Sequence, residues 1–182
     1  MPRLYLVRHG EAAATWDYAA DPGLSARGHT QAQEAARTLV PVWPIAILSS
    51  PLARARETAM PLEAAWNRKA RVADAVAEVP SAGIPIEGRR AWLMTLMEGR
   101  WADAAPELRT WAAQVNGFLI GLKEPTAIFS HFIAINVAVG AATGDDAVVC
   151  FRPANASITI LETDGARLRL IEKGVEAETI VR

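Results

Sequence analysis

A short uninterrupted apolar run, Leu4-Tyr5-Leu6-Val7, opens the chain, and similar runs return at Ile45-Ala46-Ile47-Leu48 and Thr126-Ala127-Ile128-Phe129. Runs this short, without polar alternation, predict strands buried on both faces. Between them the period changes to that of a helix. From Leu24-Ser25 a helical pattern runs through Gln33, Ala36, Leu39 and Val40, until Pro41 and Pro44 punctuate it. Ser50-Pro51 predicts a second helix start, because serine can cap and proline fits the first turn. That helix continues through Arg54 and Thr58. Pro61, which lacks a donor and crowds the preceding turn, is expected to end or kink it. Trp92, Leu93, Leu96 and Met97 have helical spacing. Trp111, Val115, Phe118, Leu119 and Leu122 form a stronger helical stripe. A small apolar helix begins near His131. Val72, Val76 and Val79 fit strand or helix equally, residues 81 to 88 read as loop, and residues 145 to 152 as a connection. Ser157 to Leu161, a turn at Asp164-Gly165, and Leu168 to Ile171 predict a terminal hairpin.

Strands alternating with helices predict an α/β fold: a three-layer αβα sandwich with a mostly parallel sheet and an antiparallel edge supplied by the hairpin. No repeat or linker divides the 182 residues, so one domain over 1–182 is expected. A net charge of −1 argues against a nucleic-acid or acidic-membrane binder by bulk electrostatics. Cys150 is the sole cysteine, so no intrachain disulfide can form. The first apolar run is too short for a signal-peptide core and is interrupted by Arg8 and His9. The most apolar stretch, Phe132 to Ala142, is far too short to span a bilayer. A cytoplasmic protein is the expectation.

In open sheets of this kind, ligands sit beyond the carboxyl ends of the strands. That rule selects Arg8-His9-Gly10, then Ser49-Ser50 leading to Arg54, then Ser130-His131. Two of the chain's three histidines lie at these junctions. Arginine grips phosphate bidentately, and helix starts add backbone donors. The set suits a phosphate dianion. Each residue also has a plain alternative. An isolated Arg-His-Gly is a weak signal, a histidine after a strand is often structural, and Arg54 by itself is a solvated helix residue. No cysteine cluster or His-x-x-x-His pair supports a metal site, and Arg8 and Arg54 would repel a cation. Neither metal nor cofactor is expected.

Taken together, the motifs resemble those of the histidine phosphatase (phosphoglycerate mutase-like) superfamily. Leu6-Val7-Arg8-His9-Gly10-Glu11 looks like its signature. Leu24-Ser25-Ala26-Arg27-Gly28-His29-Thr30-Gln31-Ala32 matches the family's next segment. Ser49 to Ala59 looks like its arginine motif. Ala77-Glu78-Val79-Pro80 stands where the family places its acid, and Phe129-Ser130-His131 where it places a second histidine. Asn155-Ala156-Ser157-Ile158-Thr159 resembles its last core strand. The matches keep the family's order over nearly the whole chain.

The resemblance implies that His9 attacks phosphorus and becomes a phosphohistidine, while Arg8, Arg54 and His131 hold the phosphoryl oxygens. It implies that Glu78 protonates the leaving oxygen and later takes a proton from water. Glu87 and Asp74 are alternatives for that acid. An asparagine that touches phosphate in the family is absent here, where Ala12, Ala13, Ala14 and Thr15 align; Thr15 offers a hydroxyl in its place. Phe132 replaces the glycine usual after the second histidine, with its ring expected in the core. His29 is expected to be exposed, and Trp92, Met94, Met97 and Trp101 to form a core stripe rather than roof a substrate pocket. The implied activity is that of a metal-independent phosphatase acting on a phosphorylated small molecule or a phosphoprotein. A mutase and a non-catalytic binding module are the alternatives. Exposed tryptophans offer a surface for a homodimer.

Overall fold

The structure, a computed structural model, describes residues 1–15 and 19–177. In chain order its main elements are β1 (Arg3–Arg8), α1 (Ala26–Leu39), β2 (Ala46–Ser49), α2 (Ala53–Trp66), β3 (Arg71–Val72), α3 (Arg89–Met97), α4 (Pro106–Ile120), β4 (Thr126–Ser130), α5 (Phe132–Thr143), β5 (Ile158–Thr163) and β6 (Leu168–Glu172). The strands form one sheet ordered β3-β2-β4-β1-β5-β6. β1, β4, β2 and β3 run parallel, while β5 and β6 are antiparallel additions at the β1 side. The expected mixed sheet is therefore present.

The apolar runs are buried on both faces because alternate residues feed different cores. Leu4, Leu6, Leu48 and Ile128 pack with Val115 and Leu119 of α4 and with Ile133, Ile135, Val137 and Val139 of α5. Val7, Ile47, Ala127 and Phe129 pack on the other face with Ala35, Ala36 and Leu39 of α1 and with Ala55, Ala59, Leu62 and Trp66 of α2. The sheet is thus covered by helices on both sides. No helix among the described residues is long and apolar enough to cross a membrane.

Two local expectations need correction. Of the two outcomes expected at Pro61, an end or a kink, the first is excluded, because α2 runs on to Trp66. A proline inside a helix costs about 3 kcal/mol. Leu62 and Trp66, both buried beyond it, offset this, since burial of one large apolar side chain contributes about 1.5–3 kcal/mol. The start of α2 also lies later than Ser50-Pro51. Ser50 still belongs to the sheet edge, its N–H donating to the Phe129 carbonyl at 2.9 Å. The first turn is capped instead by Asp21, whose Oδ1 accepts from the Ala53 N–H at 2.8 Å. Between β3 and α3 the ambiguous valines divide: Val72 is strand, while Val76 closes a short 3-10 turn, Asp74–Val76.

Candidate active site

The parallel register places the last residues of β1, β2 and β4 on one edge, with Arg8 opposite Ser130 and Ser49 opposite Phe129. The residues just past β1 are locked in place by neighbouring segments. Gly10 donates to Thr58 Oγ1 of α2 at 3.0 Å, and that hydroxyl donates to the Arg54 carbonyl at 2.6 Å. Glu11 lies against the start of α1. Its N–H donates to Gln31 Oε1 at 2.8 Å, and its carbonyl accepts from the Ser25 N–H at 2.9 Å. Ser25 caps α1 through Gly28 N–H at 3.0 Å and donates its hydroxyl to Glu11 Oε1 at 2.7 Å. The two backbones nearly touch: a Cβ on Gly28 would lie 2.2 Å from the Glu11 carbonyl oxygen, and one on Gly10 would lie 2.6 Å from that of Gly28. The Leu-Ser-x-x-Gly-x-x-Gln spacing is the footprint of this docking. On the other side, Asn155 Nδ2 donates to the His9 carbonyl at 3.1 Å, and Ala156 N–H to that of Arg8 at 2.9 Å.

These contacts deliver a buried polar cluster. His9 and His131 lie with ring centroids 5.1 Å apart. His9 Nδ1 faces the Gly10 carbonyl at 2.7 Å, so this nitrogen carries the proton. Nε2 then keeps its lone pair, which accepts from Arg54 Nε at 3.1 Å. Arg8 donates through Nη1 to the Pro153 carbonyl at 2.8 Å, and its guanidinium lies 5.1 Å from the centre of the Phe132 ring. His131 Nε2 meets Ser50 Oγ at 2.7 Å. Three buried nitrogens of the cluster have no partner: Arg8 Nε, Arg54 Nη1 and His131 Nδ1.

Glu78 reaches the same place from the loop after β3. Its Oε1 accepts from the Val79 N–H at 2.9 Å and from the Ile133 N–H, at the start of α5, at 3.2 Å. Ser130 helps to hold this loop, its hydroxyl donating to the Val76 carbonyl at 2.7 Å. Burial raises the Glu78 carboxyl pKa above its ordinary value, although both backbone donors and both arginines pull the other way. Burial first, and then the arginine charges, hold His9 well below the usual imidazole range. His131 is lowered in the same way, by burial and then by His9 and the arginines. Arg8 is pushed down to about 10, mainly by burial, with Glu78 opposing. At neutral pH both imidazoles are neutral and both guanidiniums charged. This set can receive a dianion, with an unprotonated nitrogen facing it and a carboxyl beside it.

A family model described as histidine phosphatase superfamily, branch 1, matches residues 4–175. The chain belongs to the histidine phosphatase superfamily. Solved structures share its fold. A mycobacterial glucosyl-3-phosphoglycerate phosphatase in complex with VO3 superposes with a TM-score of 0.78 at 24% identity, over 97% of this chain and 100% of its own. The complex of that phosphatase with inorganic phosphate gives 0.73 at 25% identity, over 97% and 98%. A phosphoserine phosphatase from Entamoeba histolytica in complex with 3-phosphoglyceric acid gives 0.76 at 19% identity, over 96% and 98%. No curated protein matches the chain by sequence.

In this member of the superfamily, Arg8, His9, Arg54, Glu78 and His131 lie at one edge of the sheet. The alternative acids do not join them: Asp74 and Glu87 are exposed. Thr15 is exposed in its loop, and among the described residues no hydrogen bond joins its hydroxyl to the cluster. His29 is exposed, with Nε2 at 3.7 Å from Glu57 Oε2. Phe132 divides its ring between the α4 and α5 core and the Arg8 guanidinium, so the core expectation holds in part. Trp92, Met97 and Trp101 pack against the same core, while Met94 is exposed. Among the described tryptophans, Trp43 alone is largely exposed, at 84%. Sequence reasoning passed over Ser50, Thr58 and Asn155 as site residues. Their signal was their position inside the motifs, but only their partners reveal what they hold.

Proposed function

We propose that the chain is a metal-independent phosphomonoesterase that works through a phosphohistidine on His9, with a phosphorylated small molecule or a phosphoprotein as substrate. One observation carries this reading: three buried, unpartnered nitrogens, from Arg8, Arg54 and His131, surround an imidazole whose Nε2 holds a lone pair. Buried donors left without partners cost free energy unless a ligand satisfies them. A phosphoryl group brings oxygen acceptors for such donors, and the arginines supply the charge that a cation would otherwise bring. Structures of similar fold in complex with VO3, inorganic phosphate and 3-phosphoglyceric acid support a phosphoryl-type ligand.

The geometry supports the following chemistry. Arg54 Nε releases His9 Nε2 and turns to a phosphoryl oxygen. Nε2 attacks phosphorus, an N–P bond forms, and the ester P–O bond breaks. The leaving oxygen takes the Glu78 proton, which the raised carboxyl pKa keeps available. Water then attacks the phosphohistidine, Glu78 accepts its proton, and phosphate leaves with His9 restored. Developing charge on the equatorial oxygens meets Arg8, Arg54 and His131.

The test is a rapid acid-free quench during turnover of an aryl phosphate, in chelator. An acid-labile, alkali-stable phosphate on His9, lost in His9→Ala together with turnover, is the expected result. Turnover retained by His9→Ala, or lost in chelator and restored by one metal, refutes the reading. Transfer to an added hydroxyl acceptor in preference to water, dependent on a bisphosphoglycerate donor, marks a mutase.

A further inference from the structure

Ser50 sits where β2 hands over to α2, and it is fully buried, as is His131. Its hydroxyl has two neighbours. The Leu52 N–H donates to it at 3.2 Å, and His131 Nε2 lies 2.7 Å away. A hydroxyl has one proton to give. With Leu52 already on an Oγ lone pair, the only acceptor for that proton among the described residues is His131 Nε2. The opposite arrangement, with Nε2 protonated, puts two N–H groups on Oγ and leaves its own proton buried without an acceptor. It also leaves His131 Nδ1 as a bare lone pair, because no donor reaches that atom. A lone pair aimed at an incoming dianion repels it. An N–H aimed there attracts it.

We infer that Ser50 is a positioning residue: its hydroxyl donates to His131 Nε2, fixing the imidazole as the Nδ1–H tautomer and presenting Nδ1–H to the phosphoryl group. The two histidines of the site are thereby given opposite duties by their hydrogen-bond partners. His9 is held with Nδ1–H on the Gly10 carbonyl and Nε2 free to attack; His131 is held with Nε2 occupied and Nδ1–H free to donate. Both are neutral, since burial and the neighbouring arginines lower both pKa values, so each has one proton to place. The nitrogen that receives it decides whether the ring is a base or a donor. The duty given to His131 rests on the phosphatase reading; its tautomer does not.

Histidine-selective 15N labelling of the full chain, with long-range 1H–15N correlation at neutral pH, reads the tautomer without turnover. His131 signals are assigned by their loss in His131→Gln. The expected wild-type pattern is protonated Nδ1 with bare Nε2. In Ser50→Ala the pattern shifts to a mixture or to Nε2–H, and kcat/KM for an alkyl phosphate falls about tenfold, the scale of one net hydrogen bond. Ser50→Thr, which keeps the hydroxyl, restores both. A wild-type Nε2–H pattern overturns the inference, and needs no variant to fold. An unchanged His131 pattern in folded Ser50→Ala overturns it too, whatever the turnover. A failed His9→Ala trapping experiment would instead strike the phosphatase reading and leave the tautomer standing.

Discussion

Two regions of this molecule are built on opposite terms. At the ends of β1, β2 and β4, polar side chains are buried and almost every backbone group is claimed by a partner from another motif. From residue 80 to residue 111, no residue is buried. There α3 rests on the α4 and α5 side through half-buried Trp92, Leu93, Leu96 and Met97. The backbone of its C-terminal flank is tied by Trp101 N–H to the Asp146 carbonyl and by Val148 N–H to the Gly99 carbonyl, at 2.9 and 3.0 Å. The contrast predicts where this chain tolerates change. An interlocked buried network makes most substitutions costly, whereas a half-buried apolar stripe can accept other apolar residues.

The harshest way to test that contrast is Arg54→Ala. The side chain is buried, donates to His9 Nε2 and leaves an unpartnered nitrogen in the cluster. Removing a donor of this kind is expected to lower kcat/KM by about 10²–10³-fold. The loss should be the same for alkyl and aryl phosphates, because the transferred group is common to both. A loss under tenfold would show that the network is less committed than its geometry.

Glu78→Gln separates the acid from the phosphate grip. Single-turnover phosphorylation of His9 should fall by about 10²–10⁴-fold with an alkyl phosphate and far less with a nitrophenyl phosphate, whose leaving oxygen hardly needs a proton. The pH profile carries the same signature. In the proposed mechanism the acid must be protonated, so wild-type activity on alkyl phosphates should fall as pH rises through the Glu78 pKa, which burial places above the ordinary carboxyl value. His9, held well below the usual imidazole range, stays unprotonated on the acid side of neutrality, so the acid limb lies low. Equal losses for both leaving groups would return Glu78 to a structural role as the cap of α5.

A glycine pair sharpens the comparison through stability. Gly28→Ala forces a methyl to within 2.2 Å of the Glu11 carbonyl and should cost about 3 kcal/mol, the upper end for overpacking. In a chain of this length that lowers Tm by about 6–12 °C. Gly117→Ala, in α4 with nothing within 4 Å of the new methyl, should instead stabilise by about 0.5–1 kcal/mol, since alanine favours helix. Thermal melts of both variants decide it; the same sign for both would contradict the packing account.

The smallest expected effect lies in α3. Met94 is 42% exposed, so Met94→Ala should change the unfolding free energy by no more than about 0.5 kcal/mol. A larger loss in chemical denaturation would mean that this face of α3 is covered in solution.

Much of this was legible without coordinates. Three apolar runs announced doubly buried strands because helices on both faces leave no polar side to alternate. Strand ends named Arg8, His9 and His131, since parallel strands open their carboxyl ends on one edge. Leu24-Ser25 announced the start of α1, because a helix start is signalled by residues near in sequence. What stayed hidden depends on contacts between distant segments. Pro61 inside α2 is tolerated because Leu62 and Trp66 are buried beyond it. Asp21 caps α2 from another loop, and Asn155 holds His9 from the far end of the chain. The motif favoured Glu78 and left Asp74 and Glu87 as alternatives. Its burial beside Arg8 and Arg54, with the Ile133 N–H on its carboxylate, is a property of two loops meeting. The proton on His131 is of the same kind: a histidine in a sequence has two nitrogens, and only the hydroxyl placed 2.7 Å from one of them decides which is the donor.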